Sequence, residues 1–298
     1  MIRHSTCPLC KSQEISPYLK CIDHLVTGEV FEVFTCSGCG FIFTQNHPEE
    51  SESGKYYESE EYISHSDSHK TIFDRIYQLA RKIMLNRKKR IVTEICDIRY
   101  GSILDIGSGT GNFLKTMKDA GWKTEGIEIN VKARDHAKIF FNMTLLSPRE
   151  INSLPDKSFD CITLWHTLEH FHEPEKYFRE IKRLLRPEGT VVVALPNTDS
   201  YDARHYGSAW AAYDVPRHLW HFKPDTVALF AERNGFMVSP LGYLPFDVFY
   251  ISVLSEKYRG ARFFFLSGMT KGLIFSFASI FRKSKSSSLI YILRNSDT

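Results

Sequence analysis

The feature that most constrains this chain is the run Ile103-Leu104-Asp105-Ile106-Gly107-Ser108-Gly109-Thr110-Gly111-Asn112-Phe113-Leu114, where an apolar strand meets three glycines and passes straight into a helical pattern. Glycines at alternate positions let the backbone turn sharply and approach a ligand where a Cβ would intervene. Asp105 sets an acceptor beside that turn. Glu128, twenty-three residues later at the end of the next apolar run, suits a carboxylate that receives both hydroxyls of a ribose. The same grammar continues downstream. Helices are expected from Asn112 to a stop at Gly121, after Asn130, over Pro174 to Leu185, and over Pro224 to Arg233. Strands are expected over Thr124 to Ile129, around Asp160 to Trp165, over Thr190 to Leu195, over Phe236 to Leu244, and at Ser288 to Leu293. Alternation of this kind builds an α/β domain around a parallel sheet.

A dinucleotide-binding domain shares the acid after the second strand, but its fingerprint wants a third small residue where this chain has Asn112. Asp105 followed by Gly107-x-Gly109-x-Gly111 resembles motif I of class I S-adenosylmethionine methyltransferases. Pro155-Asp156-Lys157-Ser158-Phe159-Asp160 with Leu164-Trp165-His166-Thr167-Leu168-Glu169-His170 is similar to motif IV, and Leu185-Arg186-Pro187-Glu188-Gly189 to the approach to strand five. The group includes the ubiquinone-type O-methyltransferases. The resemblance implies a Rossmann-like sheet of seven strands, the last antiparallel. It implies S-adenosylmethionine as cofactor, held by Asp105, Gly107, Gly109, Gly111 and Glu128. His166 is expected on the cofactor side, and the segment Tyr56 to Tyr62 resembles the stretch that folds over the cofactor, with Tyr62 as its contact.

The N-terminus carries a second signal. Cys7-Pro8-Leu9-Cys10 and Cys36-Ser37-Gly38-Cys39 are two Cys-x-x-Cys knuckles twenty-five residues apart, which suits four thiolates around a tetrahedral Zn²⁺; a redox pair or two unrelated thiol pairs is the alternative. Four protein ligands leave no open position, so the metal is expected to be structural. The chain therefore divides into a zinc-ribbon module at 1–45, a linker and helical segment at 46–100 whose first residues read as solvated, and a methyltransferase core at 101–298.

In an open α/β sheet ligands sit beyond the carboxyl ends of the strands. That selects His166, Glu169, His170, Asn197 and the loop holding Trp210, Tyr213, Asp214, Arg217, His218 and His221 as the acceptor side. Trp210, Tyr213, Arg217, His221 and Asn197 are the expected substrate contacts. His218 is the leading catalytic base and His170 the second, because an imidazole titrates near neutral pH. Pro216-Arg217-His218-Leu219-Trp220-His221-Phe222 resembles the base-bearing segment of zinc-containing sugar C-methyltransferases. Those enzymes carry a further domain for which this chain has no room; in its place stands an insertion at about 245–287 that is read as helical.

That insertion contains the apolar run Phe263 to Phe281 followed by Arg282-Lys283-Ser284-Lys285, and it is read either as a cover over the acceptor pocket or as an interfacial helix contacting membrane through 263–285. A net charge of +3 from 38 basic and 35 acidic residues gives no support to nucleic acid as a partner. Seven cysteines without an apolar leader suggest a reducing compartment, and cytoplasm is the expected location. The expected function is methyl transfer from S-adenosylmethionine to O or C of a small organic acceptor, a sugar or another polar metabolite. The alternatives are a quinone or other lipophilic acceptor, or a non-catalytic zinc-ribbon scaffold.

Overall fold

The computed structural model describes residues 1–57 and 72–296. Tyr62, expected at the cofactor, lies outside the described residues. The N-terminal strands are β1 (Ile15–Ile22), β2 (Val30–Cys36) and β3 (Ile42–Gln45). A 3-10 segment at Glu50–Tyr57 precedes helix α1 (Ile72–Cys96). There follow β4 (Ser102–Ile106), α2 (Asn112–Asp119), β5 (Lys123–Ile127), α3 (Val131–Phe141), β6 (Phe159–Trp165), α4 (Pro174–Leu184) and β7 (Leu185–Pro196). The C-terminal third adds α5 (Tyr201–Tyr206), β8 (Trp220–His221), α6 (Pro224–Arg233), β9 (Phe236–Tyr243), α7 (Asp247–Tyr258), α8 (Phe264–Phe281) and β10 (Ser288–Asn295).

The main sheet has the order β5-β4-β6-β7-β10-β9, with β10 antiparallel to both its neighbours and the other pairs parallel. Its central strands are buried on both faces, so they read as unbroken apolar runs. Alternate residues of β7 serve opposite layers. Val191, Val193 and Leu195 join Phe178, Ile181 and Phe230 on one face, whereas Val192 and Ala194 join Leu114, Met117 and Val92 on the other.

Seven strands were expected and six pair among the described residues. The strand that would lie beyond β5 is reduced to one parallel bridge, Ile127 to Leu146. Its extension is stopped by chemistry two residues on. The carboxylate of Glu150 accepts from both the N–H and the hydroxyl of Ser147, and Pro148 has no N–H to offer, so the chain turns into a 3-10 segment instead of pairing.

The ribbon is also less separate than a module on a solvated linker. β3 pairs with β8, setting Ile42 opposite His221 and Phe43 opposite Trp220, so the N-terminal sheet runs β1-β2-β3-β8 and its last strand belongs to the core domain. Cys7, Leu9, Phe41 and Phe43 share one hydrophobic cluster with Leu219, Trp220 and Phe222. The expected linker is tied down as well. His47 is buried, its carbonyl accepts from the N–H of Ile2 at 2.7 Å, and His172 donates to the carbonyl of Pro48 at 3.1 Å.

The expected insertion forms a hairpin of α7 and α8. Gly268 and Gly272 let α8 press on the backbone of α7, since a Cβ at Gly268 would overlap Val253 and one at Gly272 would meet Phe249. Glu256 on α7 locks the pair by accepting from Ser267 at 2.6 Å and Lys271 at 2.7 Å. The opposite side of α8 is bare: Leu266, Leu273, Phe277 and Phe281 are each more than half exposed. The helix is continuous, and by length and composition alone it is long and apolar enough to cross a membrane.

Phe43 is fully buried where the two sheets meet. Phe43→Ala is expected to cost about 3–5 kcal/mol and to lower the denaturation midpoint of the whole chain in one transition. A separate, earlier transition for the ribbon would show that it folds without the core.

Candidate active site and metal centre

The glycine turn after β4 is held by the backbone of Ile127, whose carbonyl accepts from the N–H groups of Gly107 and Ser108, and by one carboxylate. Glu128, buried just past β5, accepts from the N–H of Gly109 at 2.7 Å through one oxygen and from the N–H of Asn130 at 2.8 Å through the other. Each oxygen keeps a lone pair, so hydroxyl groups can still be received. Gly107 takes φ +80°, and a Cβ there would overlap the Thr167 hydroxyl. Asp105 is buried at the strand end and accepts from the Thr163 hydroxyl at 2.6 Å. Burial pushes its pKa up to about 7, against the pull of Thr163 and of the Lys88 ammonium. Lys88 reaches this place from α1 by lying over the Trp165 ring, 4.6 Å from its centre.

The next strand end carries the acceptor-side groups. His166 leaves β6 at φ +57°, a conformation that persists for a side chain with a Cβ only where its surroundings fix it. Its Nε2 meets Asp247 at 2.9 Å, and its Nδ1 lies 3.5 Å from Glu169. Burial opposes its charging, but the two carboxylates outweigh it and raise the pKa to about 9, so His166 is an imidazolium at neutral pH. Its partners are protein carboxylates, which assigns it to the frame of the site.

His170 and His218 meet edge to face with ring centres 4.6 Å apart. Nδ1 of His170 donates to the Arg217 carbonyl at 3.0 Å, and Nδ1 of His218 donates to the Ala212 carbonyl at 2.9 Å. A carbonyl only accepts, so each ring carries a proton on Nδ1, and Nε2 of His218 lies 3.9 Å from Asp214. Burial, reinforced by His218, lowers the pKa of His170 to about 4 and keeps it neutral. Glu169 completes the corner. It is almost wholly buried and neither carboxylate oxygen has a hydrogen-bond partner. Tyr57, whose hydroxyl lies 3.2 Å from Nδ1 of His170, feels Asp214, Arg217, Glu169 and Glu128, so the phenol stands within electrostatic reach of both the cofactor acid and the histidines.

Several expected substrate contacts are structural instead. All three guanidinium nitrogens of Arg217 are occupied: Nε by both oxygens of Asp214 at 3.0 Å, Nη1 by the Tyr56 carbonyl at 2.8 Å, and Nη2 by Asp23 at 2.9 Å and Asp214 at 2.7 Å. No fork remains for a substrate anion. Trp210 is buried and donates to Asp202 at 2.7 Å, and with Tyr213 it packs against Phe31, Val33, Tyr56 and Ile251 as core. His221 is buried against Thr44 at 2.9 Å, and burial holds its pKa well below the usual value. Asn197 spends its amide on the carbonyls of Ser284 and Ser286 at 2.9 Å each, fastening the approach to β10. The aromatic density of this loop closes a core around the ribbon. Asp247 and Tyr57 were not singled out in the sequence; an isolated acid at the head of an apolar helix was the only signal for the former.

The four cysteines of the two knuckles come together. Their Sγ atoms all lie within 4.8 Å of one another, with Cys7 to Cys39 at 3.7 Å and Cys10 to Cys36 at 3.6 Å. A tetrahedral ion with Zn–S bonds of about 2.3 Å requires S···S separations of about 3.8 Å. The donor set fits zinc.

Comparison with known proteins agrees with this geometry. A family model described as "Methyltransferase domain" matches residues 69–240, more than half of the chain. The demethylmenaquinone methyltransferase of Thermotoga maritima is 27% identical over 200 residues, 56% of this chain and 87% of that protein. The ubiquinone biosynthesis O-methyltransferase of Paraburkholderia phymatum is 25% identical over 152 residues, 47% of this chain and 66% of that one. Among these curated relatives the matched region falls as low as 38% of the relative's own length. The crystal structure of magnesium protoporphyrin IX methyltransferase from Synechocystis with bound SAH superposes with a TM-score of 0.53 at 11% identity, covering 83% of this chain and all of that one. That likeness concerns the fold.

Breaking the Arg217 cluster leaves Asp23 and Asp214 buried without a cation. Arg217→Met is therefore expected to destabilise the protein by about 3–5 kcal/mol in urea unfolding. A change below about 1 kcal/mol would return Arg217 to the list of groups free to bind a ligand.

Proposed function

Because the chain belongs to the methyltransferase-domain family, we propose that it moves the S-methyl group of S-adenosylmethionine to an oxygen or acidic carbon of a small organic acceptor, sugars and other polar metabolites included. One observation carries this reading. At the strand end beside Asp105 and Glu128 stands a corner made of Glu169, His170 and His218, in which both histidines spend their Nδ1 protons on backbone carbonyls and the carboxylate is buried. Such a corner suits an acceptor that must lose a proton.

The reaction is an in-line displacement. The acceptor's oxygen or carbon forms a bond to the methyl carbon, the C–S electron pair returns to sulfur, and the acceptor's proton is released at the corner. The chain's part is to place donor and acceptor together and to exclude water. Glu128 and the glycine turn receive the nucleoside end, Asp105 the methionine end, and Tyr57 separates the two halves. Tyr62 is assigned to the cofactor side on the strength of the resemblance alone. Cys7, Cys10, Cys36 and Cys39 hold a structural zinc within the ribbon, whose last strand β3 pairs with β8 just after His218.

A second reading has its own support. The bare apolar side of α8, with exposed Arg262, Arg282 and Lys283 at its ends, has the composition of a surface that rests on anionic lipid, and it favours a lipophilic acceptor of the quinone type over a polar one. Anionic vesicles are expected to retain the protein and to release a Leu273→Glu/Phe277→Glu variant. Absence of vesicle binding would leave the polar acceptor.

Calorimetric titration tests the main reading. S-adenosylmethionine and its demethylated product are expected to bind at micromolar concentration while NAD⁺ does not. Glu128→Ala should weaken that binding at least about tenfold, or about 1.4 kcal/mol. His218→Gln should spare it and slow turnover by roughly 10²–10⁴. Unchanged affinity in the first variant or unchanged turnover in the second would remove the corresponding role.

A further inference from the structure

We propose that the Lys88 ammonium receives the α-carboxylate of the cofactor's methionine end, while Asp105 faces the α-ammonium of the same group. The inference rests on the reading of S-adenosylmethionine as the cofactor.

Strands β4 and β6 lie side by side where the order of the sheet reverses, and ligands of such sheets enter the cleft beyond those strand ends. Asp105 stands near the end of β4 and Trp165 at the end of β6. Lys88 comes to the same cleft from α1. Arg87 beside it donates to the Tyr243 carbonyl at 3.1 Å, and Ile91 and Val92 one turn on are buried in the core, so α1 is fixed where it delivers this side chain. The ammonium lies over the Trp165 ring, 4.6 Å from its centre, and Phe113 meets that ring edge to face at 5.5 Å. An aromatic face attracts the charge but leaves the N–H groups to be satisfied elsewhere.

Among the described residues no acceptor stands at hydrogen-bond distance from that ammonium; Asp105 and Asp247 act on it through their charge alone. Burial holds Lys88 below the usual lysine pKa in spite of both acids, the state of a cation that lacks a close anion. Asp105 is in the complementary state. It is buried, gives one oxygen to the Thr163 hydroxyl at 2.6 Å, and has no hydrogen bond to the other among the described residues. A carboxylate and an ammonium that sense each other without closing into an ion pair form a cradle for a zwitterion, whose own two charges complete both. Joined directly, the same two groups would leave nothing for an amino acid to bind.

Calorimetric titration of the zinc-loaded full chain with four ligands tests the assignment. S-adenosylmethionine and its demethylated product carry both charges, decarboxylated S-adenosylmethionine keeps the amine alone, and methylthioadenosine has neither. The unaltered protein is expected to bind S-adenosylmethionine at least about tenfold more tightly than its decarboxylated form, the worth of one charge-assisted bond. Lys88→Met should erase that preference, weakening the two carboxylate-bearing ligands and leaving the other two within about twofold. Retained binding of those two also shows that the variant is folded. Equal affinity of the unaltered protein for S-adenosylmethionine and its decarboxylated form overturns the proposal without any variant. A Lys88→Met loss that extends to the decarboxylated form overturns it as well, because Lys88 would then act through Asp105. Binding of none of the four by the unaltered protein removes the cofactor reading itself, whereas binding of all four without preference removes only the role of Lys88.

Discussion

One guanidinium holds the molecule together. Arg217 joins Asp23 in the turn after β1, the carbonyl of Tyr56 ahead of α1, and Asp214 in its own loop, three parts of the chain that share no sheet hydrogen bond at that point. Burying these charges is expensive, and an apolar replacement of the whole set could be as stable. What the arrangement supplies is position. A fork of fixed donors accepts only one geometry, and the residues on either side of it, Tyr57 and His218, are those that reach the candidate site. The ribbon, the segment ahead of α1 and the loop before β8 thereby meet at one side chain, beside the pairing of β3 with β8.

The site separates its hydrogen-bonding chemistry by strand. Beyond β4 and β5 the side chains are the acids Asp105 and Glu128, and Glu128 takes the N–H groups of Gly109 and Asn130. Beyond β6 the Nδ1 protons of both histidines are spent on backbone carbonyls. Two partners with opposite needs can therefore be held a few ångströms apart without competing for the same groups. His166 stands at the divide, paired with Asp247 and close to Glu169.

Local patterns were legible and distant pairings were not. The glycine turn, the strands around it, the helix caps and the two cysteine knuckles follow from residues a few positions apart, whereas the antiparallel pairing of the last strand was implied by the resemblance alone. Glu169 and His170 were found because strand ends face ligands in such sheets. The protein partners of Arg217, His221, Asn197 and Trp210 were not legible for one physical reason. Each is a polar or amphipathic side chain whose partner lies far along the chain or on an unforeseen element: Asp23, Thr44, the carbonyls near Ser286, and a buried Asp202. Composition shows that such groups need partners, not where the partners are. The missing seventh strand is the opposite case, a local capping motif at Ser147 overriding the pattern of the fold.

The pairing of β3 with β8 bears on how the chain comes to be folded. The ribbon's outer strand is complete by residue 45, yet its partner is residues 220–221, and Thr44 meets His221 across a separation of 177 residues. During synthesis the ribbon therefore waits, with Phe41 and Phe43 and one sheet edge uncovered, until most of the core domain has been made. An ion captured by the two knuckles would keep β1 and β2 in register through that interval. The metal would then matter most to the newborn chain, before the core exists to bury what it holds in place.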